Sequence, residues 1–361
     1  MAKCKNEGVT IYNKNKAYQG YTLFSPMGCP DSWLMNMEGE MVHHWKMPER
    51  PGSYSKLLSN GNLLYGCKMD IKEREKAGAE PFSGYGGIIR EVDWDNHLVW
   101  EYRDPFLHHD FDRMKNGNTM VLKWVEVPED IAKKVVGGVP GSEEKGKIWG
   151  DVFEEINPEG KVVWKWVAHE NLDPEMDSIC PLCPRKEWTH ANSCVVLGNG
   201  DLLTCFRSLN NVCIIERQSG EISWEWGRGL GELAHPHDPH PLPNGNIMIF
   251  DNGAHRPLTE VNCSIVVEVD RQKKKIVWEY RSEPAHLFYS SVCSGSQRLP
   301  NGNTLICSTT QGRLFEVTPE KEIVWEYYCP YYGQIDSGYV NWIFRAHRYS
   351  ADFIKKNNLI E

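Results

Sequence analysis

The sequence predicts an all-β fold: a six-bladed β-propeller with four-stranded blades, occupying residues 1–361 as a single domain. Two recurring patterns and the spacing between them carry the prediction. The first is an Asn-Gly or Asn-Gly-like turn followed by an apolar run, centred on Gly61, Gly117, Gly200, Gly245 and Gly302. The second is a strand built on Trp: Val42 to Trp45, Val99 to Tyr102, Val163 to Trp166, Ile222 to Trp226, Val277 to Tyr280 and Val324 to Tyr327. From Trp45 to Trp325 the intervals are 55, 64, 60, 54 and 47 residues, the length of four strands plus loops.

In chain order, Tyr18 to Ser25 reads as a strand with no turn signal of its own, and Val42 to Trp45 closes the unit. Each of the next five units opens with an Asn-Gly hairpin, for which a type I′ turn is expected because both of its central residues need positive φ. Each unit ends on its Trp strand, after a polar turn such as Asn157 to Gly160 or Gln218 to Gly220. The Trp residues read as apolar glue between sheets. The segment Gly338 to Arg345 is left over, and pairing it with Tyr18 to Ser25 closes the ring by joining N- and C-terminal strands in one blade. Three stretches fit no repeat and are expected as loops: 68–87, 123–150 and 168–187, the second with a short helix inside Glu129 to Val136.

Composition narrows the function. A net charge of -9 without a basic run argues against a nucleic-acid partner. No apolar run reaches transmembrane or signal-peptide length, so a cytoplasmic protein without a membrane partner is expected. A homodimer is left open. The chain has 12 cysteines, most standing singly in strand-like runs, where they read as reduced, small hydrophobes. Cys180 and Cys183 differ: Cys-x-x-Cys is half of a zinc or cluster site, and no second pair of similar spacing exists.

The 13 histidines are unevenly placed, with four of them in the stretch 231–256. In a propeller, residues at one distance before each hairpin glycine converge, and eight positions back lie Ser53, His109, Asn192, His237 and Ser294. His108, Asp110, His190, His235 and His240 stand nearby. His190 and Asn192 alternate by two and share a face on a regular strand. Such a cluster permits two chemistries. A neutral imidazole can act as a nucleophile assisted by other histidines. Alternatively, His109, His190 and His237, with His108 as a further candidate, can hold a divalent transition metal for a lyase, hydratase or hydrolase. A propeller that only binds a partner through its loops is the third reading.

Thr189 to Ser193, Phe206 to Asn210, and His237 ahead of Leu242 to Asn246 and Phe250 to Gly253 together resemble the bacterial aryl sulfotransferase (aryl-sulfate sulfotransferase) family. The resemblance implies a six-bladed propeller that moves a sulfuryl group between phenolic esters without a nucleotide donor or other cofactor. It makes His237 the nucleophile and assigns the sulfuryl oxygens to His190, Asn192 and Arg207. His108 or His109 completes the pocket as a further donor or proton carrier. The implied partner is a small phenolic or aryl sulfate substrate.

Overall fold

The computed structural model describes residues 6–80, 82–228, 232–256, 261–336, 338–357 and 359. Strands dominate, arranged in six antiparallel sheets as a six-bladed β-propeller. The chain divides into two compact units, Met1–Pro105 with Phe288–Glu361 and Phe106–Leu287, each contributing three of these sheets and one further two-stranded sheet.

In the first unit, one sheet runs Ile343–Ser350, Gly20–Pro26, Asp31–Met35, Met41–Lys46, and the next runs Pro51–Leu57, Leu63–Lys68, Gly87–Val92, Leu98–Arg103. The third runs Gly295–Arg298, Thr304–Ser308, Arg313–Val317, Ile323–Tyr328 and has a fifth strand, Gly8–Tyr12, on its outer edge, which the repeat pattern does not announce. N- and C-terminal strands do share a sheet, but the C-terminal member lies further on than expected. Gly338–Val340 makes a separate hairpin with Gly333–Ile335, and Asn341 then donates its side-chain amide to the Cys329 carbonyl, so pairing with Gly20–Pro26 starts at Ile343.

In the second unit the sheets are Leu107–Arg113, Thr119–Glu126, Trp149–Ile156, Val162–Val167; Val195–Val196, Leu202–Phe206, Asn211–Ile215, Ile222–Trp226; and Pro236–Pro241, Ile247–Asp251, Ile265–Asp270, Lys275–Tyr280. Within each unit, adjacent sheets pack through a continuous apolar cluster. One such cluster joins Phe153 and Trp166 to Phe206 and Cys213, and another joins Ile214 and Trp224 to Ile249 and Val267.

The Trp strands are the fourth strands of the sheets. Their indole N–H groups tie one sheet to the turn of its neighbour: Trp45 to the Asp93 carbonyl at 3.1 Å, Trp164 to Arg217 at 3.1 Å, Trp224 to Arg271 at 2.9 Å and Trp325 to Met37 at 2.9 Å. A large apolar body with one satisfied donor suits a buried seam between sheets.

The Asn-Gly turns are not type I′. Positive φ is confined to the glycines, for instance 87° at Gly61 and 86° at Gly245, while the preceding asparagines keep negative φ. In the first of these turns, Gly61 N–H donates to Leu58 O at 2.9 Å, and Asn62 N–H to the Asn60 side-chain oxygen at 3.1 Å. The hairpin is thus a type I turn followed by a left-handed glycine, a three-residue loop.

The three expected loops carry elements of their own. The first holds a helix, Ile71–Lys76, capped by Asp70. The second begins inside the strand that ends at Glu126, contains the helix Glu129–Ala132, and continues to Gly137–Val139. The third contains the helix Ala168–Asn171 and Ile179–Pro184, which pairs in parallel with Gly137–Val139. Arg185 fastens these last two excursions together, through Glu143 at 2.6 Å and the Val135 carbonyl at 2.8 Å. The cysteines among the described residues are free thiols, and no helix among those residues is long and apolar enough to cross a membrane.

Candidate active site

The histidines picked out by the sequence lie in the second unit, at positions where strands begin or break. His237 sits on Pro236–Pro241, where register slips between His237 and His240 and Asp238 takes a φ of 51°. A bulge at this point re-aims the side chains on either side of it. His109 and His190 adopt φ values of 50° and 47°, conformations that cost non-glycine residues energy and are kept where the surroundings over-determine them.

The His237 ring is fully determined by its neighbours. Its Nδ1 lies 2.7 Å from Asn252 Oδ1 and 3.2 Å from the His235 carbonyl oxygen. Both are acceptors, so Nδ1 carries the proton and Nε2 keeps its lone pair. Burial, with the Arg207 cation nearby, holds the imidazole well below the ordinary histidine pKa, against the opposing effect of those two hydrogen bonds. His237 is therefore neutral at pH 7.

His190 Nδ1 lies 2.9 Å from Glu187 Oε2, which also accepts the Trp124 indole N–H at 3.1 Å. Burial raises the Glu187 pKa, but His190, His108 and Lys186 together outweigh it and the carboxyl is held below its ordinary range. The carboxylate accepts from the His190 Nδ1–H and leaves Nε2 turned away from it. The His190 ring meets that of His109 edge-on, with centroids 4.8 Å apart.

His108 and His109 are joined Nδ1 to Nδ1 at 2.8 Å, so one donates and the other accepts along that edge. His108 Nε2 stands 3.1 Å from the Asp151 carboxylate without hydrogen-bond alignment. The other Asp151 oxygen accepts from Thr189 Oγ1 and, at 2.6 Å, from the Ala191 N–H. Burial, reinforced by His190 and His108, pushes His109 well below the usual histidine pKa.

Two sequence expectations change. His190 and Asn192 do not share a strand face: the strand there is reduced to Val195–Val196, and His190 is left-handed. Asn192 is fully buried, its amide N–H donating to the Pro236 carbonyl at 3.0 Å and its oxygen accepting from the Cys205 thiol. It braces the backbone beside His237 with its oxygen and one of its amide hydrogens. Arg207, in contrast, is partly exposed, and among the described residues its guanidinium meets no carboxylate; NH1 lies 3.8 Å from Cys183 Sγ.

His109, His190 and His237 do not gather into a ligand set. Among the described residues, the group whose donor atoms all lie within 4.8 Å of one another is Cys180, Cys183, His235 and His255. The Cys-x-x-Cys motif pointed to half of this group. The two histidines reach it from positions with φ of 57° and 61°, which no sequence pattern announces.

The arylsulfotransferase (ASST) family profile matches residues 74–329, a span that includes every histidine named above. The chain belongs to the arylsulfotransferase family. No curated protein matches it. Among solved structures, a Bacteroides caccae protein of unknown function is similar over 91% of this chain and 98% of its own, with 13% identity and a TM-score of 0.56. A Staphylococcus aureus virginiamycin B lyase is similar over 90% of this chain and 85% of its own, with 10% identity and a TM-score of 0.47. Family membership supports a sulfotransferase-like transferase acting on a small molecule.

Proposed function

We propose that the protein moves a sulfuryl group from an aryl sulfate to a phenol through a covalent intermediate on His237. The observation that carries this reading is the pinned tautomer of His237, whose buried ring presents an unprotonated Nε2 at neutral pH. Nε2 attacks sulfur, the N–S bond forms as the aryl O–S bond breaks, and the phenolate leaves with the bonding pair. The ring then bears positive charge, which its Nδ1–H shares with the Asn252 and His235 oxygens. An incoming phenol loses its proton and attacks the same sulfur, the new O–S bond forming as the N–S bond breaks with its electron pair returning to Nε2, which restores neutral His237.

Arg207 is the donor available to the sulfuryl oxygens, and His190 Nε2 joins it only when that ring carries a proton on both nitrogens; Asn192 has its oxygen and one amide hydrogen committed to the fold. Fixed donors of this kind stabilise charge that builds up in the transition state. The His108–His109 edge offers a path for the proton that the leaving phenolate takes up and the acceptor gives back. The deciding experiment is sulfuryl exchange between an aryl sulfate panel and phenol acceptors, with mass spectrometry of the quenched protein for a sulfated His237 peptide. Wild-type protein inert toward the whole panel, or exchange surviving in His237→Ala, overturns the reading.

A further inference from the structure

Cys180, Cys183, His235 and His255 come from two separate segments of the chain and converge outside the set of groups used for transfer. Cys183 Sγ lies 3.3 Å from His235 Nε2 and 3.6 Å from His255 Nδ1, and Cys180 Sγ lies 3.5 Å from His255 Nδ1. A tetrahedral zinc with bonds of about 2.3 Å to sulfur and 2.0 Å to nitrogen has S···N edges of about 3.5 Å. The three separations bracket that edge before any ion is placed.

We infer that these four residues form a structural zinc site. Two soft thiolates and two imidazoles in a tetrahedron select zinc over hard cations such as magnesium or calcium. Four protein ligands close the coordination shell, the mark of a structural rather than a hydrolytic ion. Binding releases the two thiol protons to solvent, and the two thiolates cancel the charge of the ion. The guanidinium of Arg207, 3.8 Å from Cys183 Sγ, supplies an outer hydrogen bond to a thiolate. His255 is exposed, which gives the ion a way in.

The ligands are held in place independently of a metal. The Cys-bearing strand is paired to Gly137–Val139 and locked by Arg185. The His235 N–H donates to Asn210 Oδ1 at 2.9 Å, and the Gly253 N–H donates to the Ala234 carbonyl at 2.9 Å, joining the His235 segment to the one that leads to His255. The ion therefore clamps the 168–187 excursion to the segment leading into the strand Pro236–Pro241. It also fixes His235, whose carbonyl faces His237 Nδ1 at 3.2 Å. The geometry thus connects a structural metal to the orientation of the candidate nucleophile, yet metal binding itself does not depend on the transfer reaction.

The test is metal analysis of the full, untagged chain after exchange into metal-free buffer and titration with zinc chloride, followed by X-ray absorption at the zinc edge. The expected result is about one tightly held zinc per chain with a shell of two sulfurs and two nitrogens. Cobalt(II) substitution should give thiolate charge-transfer bands and the d–d bands of a tetrahedral ion. His255→Ala, a change at an exposed side chain, should weaken zinc affinity by at least about tenfold. Chelation should lower the Tm of the wild type and leave that of Cys183→Ser unchanged. Less than about 0.1 zinc per chain in folded wild-type protein under excess zinc overturns the inference. A bound ion with a shell free of sulfur overturns it equally, since it would place the metal on other histidines.

Discussion

His237 Nδ1 stands 2.7 Å from Asn252 Oδ1, a contact from the first strand of a sheet to the residue just past its second strand that decides which nitrogen of the ring can react. Asn252→Leu removes that acceptor and lets the ring turn. We expect kcat for sulfuryl exchange to fall about 100-fold, the scale on which small misplacements of a reacting group act, with KM little changed. His237→Ala should lower exchange by roughly 10⁴-fold or more. Steady-state kinetics on both variants, with circular dichroism to confirm folding, checks the pair.

The pH profile follows from the depressed pKa of His237. Its neutral form persists down through the ordinary histidine value of about 6.5, so the acid limb of kcat/KM should lie below that pH. Asn252→Asp sets a carboxylate against Nδ1, favours the imidazolium, and should move the acid limb up by about 1–3 units. A limb unmoved in that variant would place the titrating group elsewhere.

Stability should follow the same sign. His109 and His237 are buried with depressed pKa values, so the unfolded chain takes up protons at these rings before the folded chain does. Their contribution is complete above about pH 6.5 and is lost as pH falls toward the folded values. Urea midpoints of the wild type should therefore drop between pH 7.5 and 5.5, and His109→Gln should flatten the drop.

Gly245→Ala tests the turn geometry. A Cβ at Gly245 meets open space, so its cost comes from the φ of 86° alone, about 1–2 kcal/mol. Gly198→Ala, also in open space but without positive φ, should be neutral or stabilising by about 0.4–1 kcal/mol. Denaturant midpoints distinguish the two.

Trp325→Ala should destabilise by about 3–5 kcal/mol, the range for a buried aromatic. Its side chain is fully buried, and its loss leaves the Met37 carbonyl without the indole donor. Trp325→Phe, which keeps most of the apolar volume, should recover a large part of the loss. Equilibrium unfolding in urea measures both.

The propeller was legible because its signals are local and repeated: each Trp strand and each Gly-containing turn sits within a few residues of its own element. The turn type was not, because Asn-Gly permits both type I′ and the three-residue loop, and hydrogen bonding by Asn60 and its equivalents favours the second. His109 and His237 both stand eight residues before their hairpin glycines, and both strands slip register near that point, so the count aligns them even though neither strand is regular there. Counting did not foresee the setting of Asn192, where the strand shortens to two residues and the side chain bonds the Pro236 carbonyl. The partners of Cys183 lie 52 and 72 residues away, so their convergence depends on how two blade loops and a long excursion meet. No spacing rule contains that information.

The pairing of Ile343–Ser350 with Gly20–Pro26 has a consequence for how the protein is made. A ribosome adding about 5–20 residues per second delivers the second strand roughly 15–60 seconds after the first. Through that interval the edge carrying Leu23 and Phe24 lacks its partner, and an open apolar edge invites pairing with other chains. Phe106–Leu287, by contrast, is one uninterrupted stretch whose sheets can assemble as it emerges. Nascent chains stalled before Ile343 should therefore be the ones that engage chaperones.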